Sequence, residues 1–302
     1  MDRKLEKLVT NLGGEKEMKY FLFTDHPKSG LDTINQEKEE RIRSYFSRID
    51  TIDTVLTLKG KEYKTVIDYA MFANLTNFDC FNCLEHCCGD SPTIFNKKIR
   101  NFILENKESY NELTKTLDIL EELGNDSNEI EDMIREEDVL IPSKYLGNEI
   151  DLCACAYTPK NGQTLCSLHS ICLEKNMSPR EIIENKPLIC SIWPLEIILE
   201  EERNTLYLTL PDDFTNSFTI ENFYTKSCIN IDFAMSPIFR RENPNGFLED
   251  DFKPFIVTYG ETLKNILGKD IYNRIKNKLL EGKILANDDF VIETEQINRV
   301  LT

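Results

Sequence analysis

Hydrophobic positions along the chain alternate between helical and strand-like periods. Residues 36–49 put Ile42, Tyr45, Phe46 and Ile49 on one face at three- and four-residue spacing, which predicts a helix. The charges of EKEER fall on its solvated side. A helix is also expected over 1–11, stopped at Gly13-Gly14, where two glycines favour a C-terminal cap. TVLTL and KEYKTVIDY flank Lys59-Gly60, and β-branched runs around a glycine turn predict a hairpin. The pattern then turns helical over 93–106, over 108–123 with Gly124 as its stop, and over about 126–136. Ile94, Phe95, Ile99, Phe102 and Ile103 form a stripe of the kind that builds core. The stretch 125–138 is acidic and reads as exposed.

From 150 to 232 the reading is mostly β. DLCACAYT, the turn PKNG and QTLCSLH form a strand–turn–strand pattern, with Asn161-Gly162 as a type I′ turn signal. Ser178-Pro179-Arg180-Glu181 has serine at the cap, proline at the first helical position and glutamate three residues on, which opens a short helix. LICSIW, LEIILEE and NTLYLTL follow as strands, and two helices broken near Gly268 fill Gly246 to Leu280. The expected fold class is α+β: a cysteine-rich core, expected from its thiols to bind metal, with a β-hairpin and antiparallel strands, flanked by helices. Accessory N-terminal helices and hairpin are expected over 1–75, the cysteine-cluster core over 76–235, and a helical segment packing on that core over 236–302.

Charge and composition narrow the function. The net charge of −17 on 302 residues opposes binding to nucleic acid or an anionic leaflet, both of which need clustered Lys and Arg. Ile189 to Leu199 is the longest nearly apolar run; Pro194 and Glu196 interrupt it, and it is too short to span a bilayer. The N-terminus lacks the apolar stretch of a secretory signal, so a cytoplasmic location is expected. There is no Walker loop, HExxH or GxSxG, and no Gly-rich loop after a strand that would cradle S-adenosylmethionine.

The ten cysteines carry the chemistry. FDCFNCLEHCCGDSP, residues 78–92, sets Cys80, Cys83, Cys87 and Cys88 in a spacing that is no packing period. In a reducing compartment such spacing points to metal ligation or redox activity. If Asn161 and Gly162 are the two turn residues, Lys160 faces Gln163 and Tyr157 faces Cys166. Cys153, Cys155 and Cys166 then share one sheet face, a half-built metal site. His169 follows Cys166 at a chelating distance in sequence, and His86 lies inside the first cluster; a satisfied surface or core histidine is the plainer role for each. Cys172 reads as an apolar filler beside a helix at Ser170 to Lys175, and Asp90 as a turn residue. Trp193 is expected to pack against the shell of the cluster.

The ordered set FDCFNCLEHCCGDSP, CACAY, LCSLH, KPLICSIWPLEI and a later SC resembles the YkgJ-like cysteine-cluster family, described as zinc- or iron-chelating, with a branch of cytosolic bacterial proteins. The resemblance covers roughly 78–230 and implies Cys80, Cys83, Cys87, Cys88, Cys155, Cys166, Cys190 and Cys228 as metal ligands, with Gly89 and Asp90 matching beside them. Cys153 and Cys172 lie outside the pattern. Eight thiolates suit two four-coordinate zinc sites or iron–sulfur chemistry. Adjacent Cys87 and Cys88 serve two metals or a cluster more readily than one ion, because neighbouring side chains in extended backbone point apart. Flagellin lysine-N-methylase is similar in its cysteine pattern, which leaves open a second function: a metal-dependent enzyme acting on a protein or peptide partner. A thiol redox role is a third, though no thioredoxin-like unit surrounds the CxxC.

Overall fold

The computed structural model describes residues 19–21, 31–58, 60–78, 97–136, 153–159, 162–218, 223–244 and 246–290. The helix expected at 1–11, Ile94, Phe95, Lys160, Asn161 and the Cys80–Cys88 group with His86 and Asp90 lie outside these residues. The described chain runs β1 (Lys19–Phe21), β2 (Leu31–Thr33), α1 (Gln36–Phe46), β3 (Ile52–Leu58), β4 (Lys61–Ile67) and β5 (Leu75–Thr76). Helices α2 (Lys97–Glu105), α3 (Lys107–Thr114), α4 (Thr116–Glu122) and α5 (Ser127–Glu136) come next. Then follow β6 (Ala156–Tyr157), β7 (Leu165–Cys166), α6 (Ser167–Glu174), α7 (Pro179–Glu184), α8 (Leu188–Ile192), β8 (Glu196–Glu200) and β9 (Thr205–Thr209). The chain continues through α9 (Ile231–Ala234), α10 (Pro237–Glu242), β10 (Lys253–Pro254), α11 (Phe255–Thr258), α12 (Gly260–Ile266) and α13 (Lys269–Glu281).

Six strands form the main sheet in the order β2-β1-β8-β9-β4-β3. All neighbours are antiparallel except β4 and β9, which run parallel with Lys64 opposite Thr205 and Ile67 opposite Leu208. The β3–β4 hairpin turns at Gly60, whose φ of 76° suits glycine. Its alternation places Ile52, Leu56, Tyr63 and Ile67 on one face. There they meet Leu206 and Leu208 of β9, Ile197 and Leu199 of β8, and Phe255, Leu263 and Ile275 of the C-terminal helices.

The opposite face is covered by α1, whose Ile42 and Phe46 pack on Ile198 and Tyr207. Asn35 caps α1 by accepting from the Lys38 amide at 2.9 Å. Burial on both faces explains why β8 reads as a nearly unbroken apolar run. Glu39, Glu200 and Asp68 are buried on the α1 side. Glu200 accepts from Arg43 (2.8 Å), Arg203 (3.2 Å) and the Tyr207 hydroxyl (2.8 Å), and Arg43 also pairs with Glu39. Asp68 accepts from the hydroxyls of Tyr45 (2.6 Å) and Thr209 (3.0 Å).

A second core is helical. Ile99, Phe102 and Ile103 of α2 pack with Tyr110 of α3, Leu117 and Leu120 of α4, Ile130 and Ile134 of α5, Leu168 and Ile171 of α6, and Ile182 of α7. Helix α12 packs on both α7 and α8 and joins this core to the sheet.

The α+β class holds, with a sheet rich in antiparallel pairs, but several expectations change. The stretch 150–232 is not mostly β, since α6, α7 and α8 occupy much of it. LICSIW forms α8 rather than a strand. Its Cys190 amide bonds back to the Pro187 carbonyl (3.0 Å), and a short apolar run bounded by prolines fits either period. The helix expected over 108–123 breaks at Lys115, which has a φ of 57°. The break is stabilised by Asn111, whose side-chain oxygen accepts from the amides of Leu117 (2.9 Å) and Asp118 (3.2 Å) and so caps the next helix. Among the described residues, no helix is long and apolar enough to cross a membrane.

Candidate metal centre

Cys155 sits in the helical core at 1% exposure, and Cys172 is fully buried there; Cys153 and Cys166 pack against the same residues. Three hydrogen bonds hold the turn that carries Cys153 and Cys155. The Ala156 amide bonds to the Cys153 carbonyl (2.8 Å), the Ser167 amide to the Cys155 carbonyl (2.8 Å), and the Tyr110 hydroxyl to the Ala154 carbonyl (2.7 Å). The carbonyls of Cys153, Ala154 and Cys155 thus each have a donor.

The hairpin that brings Cys166 alongside differs from its expected register. Ala156 pairs with Cys166, and Tyr157 with Leu165, a shift of one residue from the pairing of Tyr157 with Cys166. The Gly162 amide bonds to the Pro159 carbonyl (3.0 Å), so the turn closes between those residues and 158–164 separate the strands. A one-residue slip moves side chains to the other face. The shared sheet face drawn for Cys153, Cys155 and Cys166 therefore does not exist as expected. Cys155 lies in the turn that leads into β6, and Cys166 ends β7 and caps α6.

The thiols respond to each other. Burial pushes the Cys155 thiol well above its ordinary range, and its hydrogen bond with the Cys153 thiol and the charges of Cys153 and Cys166 act in the same direction. Burial raises Cys166 as well, against the opposing charge of Lys186. Cys172 is pushed up to about 11, first by burial and then by Cys166, while Lys186 and Asn185 pull it down. All three are therefore protonated at neutral pH, and a bound metal ion would have to displace those protons. Lys186 was invisible in the sequence reading; it reaches Cys166 and Cys172 only through the folding back of α7. His169 lies half-buried on α6.

Cys228 belongs to the sheet core, where it is buried, and its carbonyl accepts from the Asn77 amide at 2.8 Å. Cys190 lies just before Trp193 on α8, a helix that packs on both α7 and α12. The Trp193 ring meets Phe78 edge-on at 6.4 Å, and its carbonyl accepts from the Tyr259 hydroxyl, whose ring lies 4.5 Å from that of Phe78. Cys228 and Trp193 thus converge on Asn77 and Phe78, the last described residues before Cys80 in sequence. When the described chain resumes at Lys97, α2 lies in the core that holds Cys155 and Cys172, and Lys98 pairs with Glu184 of α7 at 2.6 Å.

Of the thiols expected as ligands, Cys155 and Cys166 stand at the helical core, Cys228 is in the sheet core, and Cys190 lies on α8. Cys80, Cys83, Cys87 and Cys88 lie outside the described residues. Among the described residues, no three Cys, His, Asp or Glu side chains are grouped so as to hold a metal ion. The donor chemistry suits a soft ion, but no complete site is present within those residues. The chain matches no family model, no curated protein and no solved structure.

Proposed function

We propose that this is a cysteine-cluster metal protein of the YkgJ-like kind, holding zinc or iron through thiolates in a reducing, cytoplasmic setting. The observation that carries the reading is where the segment 79–96 is attached. It contributes four closely spaced cysteines, it follows Asn77 and Phe78 beside Cys228 and Trp193, and it leads into α2 beside Cys155 and Cys172. The four thiols of the segment are thereby bracketed in sequence by residues beside Cys228 and by a helix of the core that holds Cys155.

In this reading Cys80, Cys83, Cys87 and Cys88 complete two sets begun by Cys155 with Cys166 and by Cys190 with Cys228. Zinc held in this way would cross-link the helical core to the sheet, and an iron–sulfur cluster would add electron transfer. The test is anaerobic purification followed by metal analysis, a visible spectrum, and thiol titration before and after chelation. Bound zinc or iron, with thiols released by the chelator, is expected. Ten thiols that titrate freely in metal-free protein would end the reading.

A further inference from the structure

Among the described strands, β3 ends the main sheet and pairs with β4 alone. The Lys64 amide bonds to the Asn204 carbonyl and the Asp68 amide to the Leu208 carbonyl, both at 3.0 Å. Even-numbered residues of β4 thus turn their backbone groups toward β9, and odd-numbered ones toward β3. There Tyr63 meets Leu56, Thr65 meets Thr54 and Ile67 meets Ile52. It follows that the amides and carbonyls of Asp53, Val55 and Thr57 point out of the sheet. Arg274 on α13 donates to the Asp53 carbonyl at 3.0 Å, which agrees with that direction.

Natural sheet edges are ordinarily blunted by lysine, proline, a bulge or a very short strand. β3 has seven residues, IDTVLTL, without lysine or proline, and its ladder with β4 runs without a bulge. Asp53 is its single charge. The side chains of Asp53, Val55 and Thr57 are exposed, Val55 by 57%.

We infer that β3 pairs antiparallel with β3 of a second copy of this chain, about a two-fold axis at Val55. The strand is self-complementary in that register. Val55 opposes Val55, and Asp53 opposes the second copy's Thr57 on either side of the axis. Each opposed pair exchanges two backbone hydrogen bonds, because these are the residues whose amides and carbonyls face outward. The Asp53 carbonyl has a second lone pair, so Arg274 need not leave it. No like charges meet: the Asp53 carboxylate faces a hydroxyl that can donate to it, and Lys64 beside Val55 is separated from its counterpart by both valines. A register centred on Asp53 would instead set two carboxylates face to face. The pairing uses no cysteine and does not depend on the metal reading.

Sedimentation of the full-length protein over a range of concentrations, in reductant and moderate salt, tests it. Salt screens the repulsion between two chains of net charge −17. The mass is expected to rise from 35.1 kDa toward twice that value as concentration increases. Val55→Glu opposes two carboxylates at the axis and should weaken the dimer on the order of tenfold; mixing it with Val55→Lys should restore the dimer. Thr57→Lys sets a cation opposite each Asp53 and should tighten it several-fold. Residues 55 and 57 are exposed in the single chain, so its fold does not rest on either side chain. A wild type that stays monomeric at every concentration, or a dimer indifferent to charge at residues 55 and 57, would overturn the pairing.

Discussion

The hydroxyl of Tyr110 on α3 donates a 2.7 Å hydrogen bond to the carbonyl of Ala154, tying a helix of the second core to the turn between two cysteines. Tyr110 is fully buried, so its hydroxyl has no water to turn to in place of that carbonyl. Tyr110→Phe is expected to cost about 1–2 kcal/mol, because the carbonyl is left without its donor. Alkylation of Cys155 by iodoacetamide should also speed up as the turn loosens. An unchanged rate with normal stability would mean that packing alone holds the turn.

The buried carboxylates beneath α1 make a second prediction. Arg43→Met removes the cation shared by Glu39 and Glu200, and stranding a buried partner typically costs about 3–5 kcal/mol. Glu200 keeps Arg203 and the Tyr207 hydroxyl, so the lower end of that range is expected. Urea unfolding measures it. Adding Glu200→Gln to Arg43→Met should recover part of the loss, since it removes the stranded charge.

Alkaline pH should weaken the helical core. The folded Cys172 thiol keeps its proton up to about 11, whereas the unfolded thiol loses it near the ordinary 9.0. Between those values the unfolded chain binds fewer protons, so stability falls as pH rises through the window, by up to about 2–3 kcal/mol from this group. Cys155, Cys166 and Tyr110 are shifted in the same direction by burial and add to the fall. Unfolding of metal-free protein at several pH values between 8 and about 11, with and without Cys172→Ala, tests it: the variant should show the shallower decline.

The ten cysteines should not be equal. Cys155→Ser and Cys190→Ser are expected to release metal and to destabilise the fold by several kcal/mol, because binding energy is folding energy for such a site. Cys172→Ser should keep its metal and cost about 1–3 kcal/mol as a buried apolar filler made polar. Metal content and anaerobic thermal unfolding of the single variants decide. Equal metal loss from Cys172→Ser and Cys190→Ser would show the ligands to be wrongly assigned.

Local signals carried far into this fold. The β3–β4 hairpin was legible because β-branched residues alternate on both sides of Gly60. The α7 helix was legible because Ser178 and Glu181 form a reciprocal cap with Pro179 at the first position. The stripe of Ile99, Phe102 and Ile103 faces the core as its spacing requires. What failed were features decided by longer-range partners or by one residue of register. Asn111 breaks a helix by capping its successor, and LICSIW coils where a strand was equally consistent with its pattern. Pro159 draws the turn closed on Gly162 and shifts the β6–β7 pairing, which altered the site more than any misplaced helix. Of the candidate site, the hairpin that carries Cys155 and Cys166 was legible, whereas its register, Lys186 and the burial of Cys172 in the helical core were not, because they depend on more than local spacing.

The parallel pairing of β4 with β9 constrains how the chain is made. During synthesis the edge of β4 formed by Lys64 to Ile67 stays open until Thr205 to Leu208 have left the ribosome. At ordinary elongation rates that interval is on the order of ten to thirty seconds. Leu56, Tyr63 and Ile67 wait through it without Leu206, Leu208 or Phe255, the partners that bury them. Lys61, Glu62 and Lys64 punctuate the waiting strand with charge, which disfavours pairing with another nascent copy. The hairpin thus carries its own guard against aggregation until the downstream half of the sheet is made.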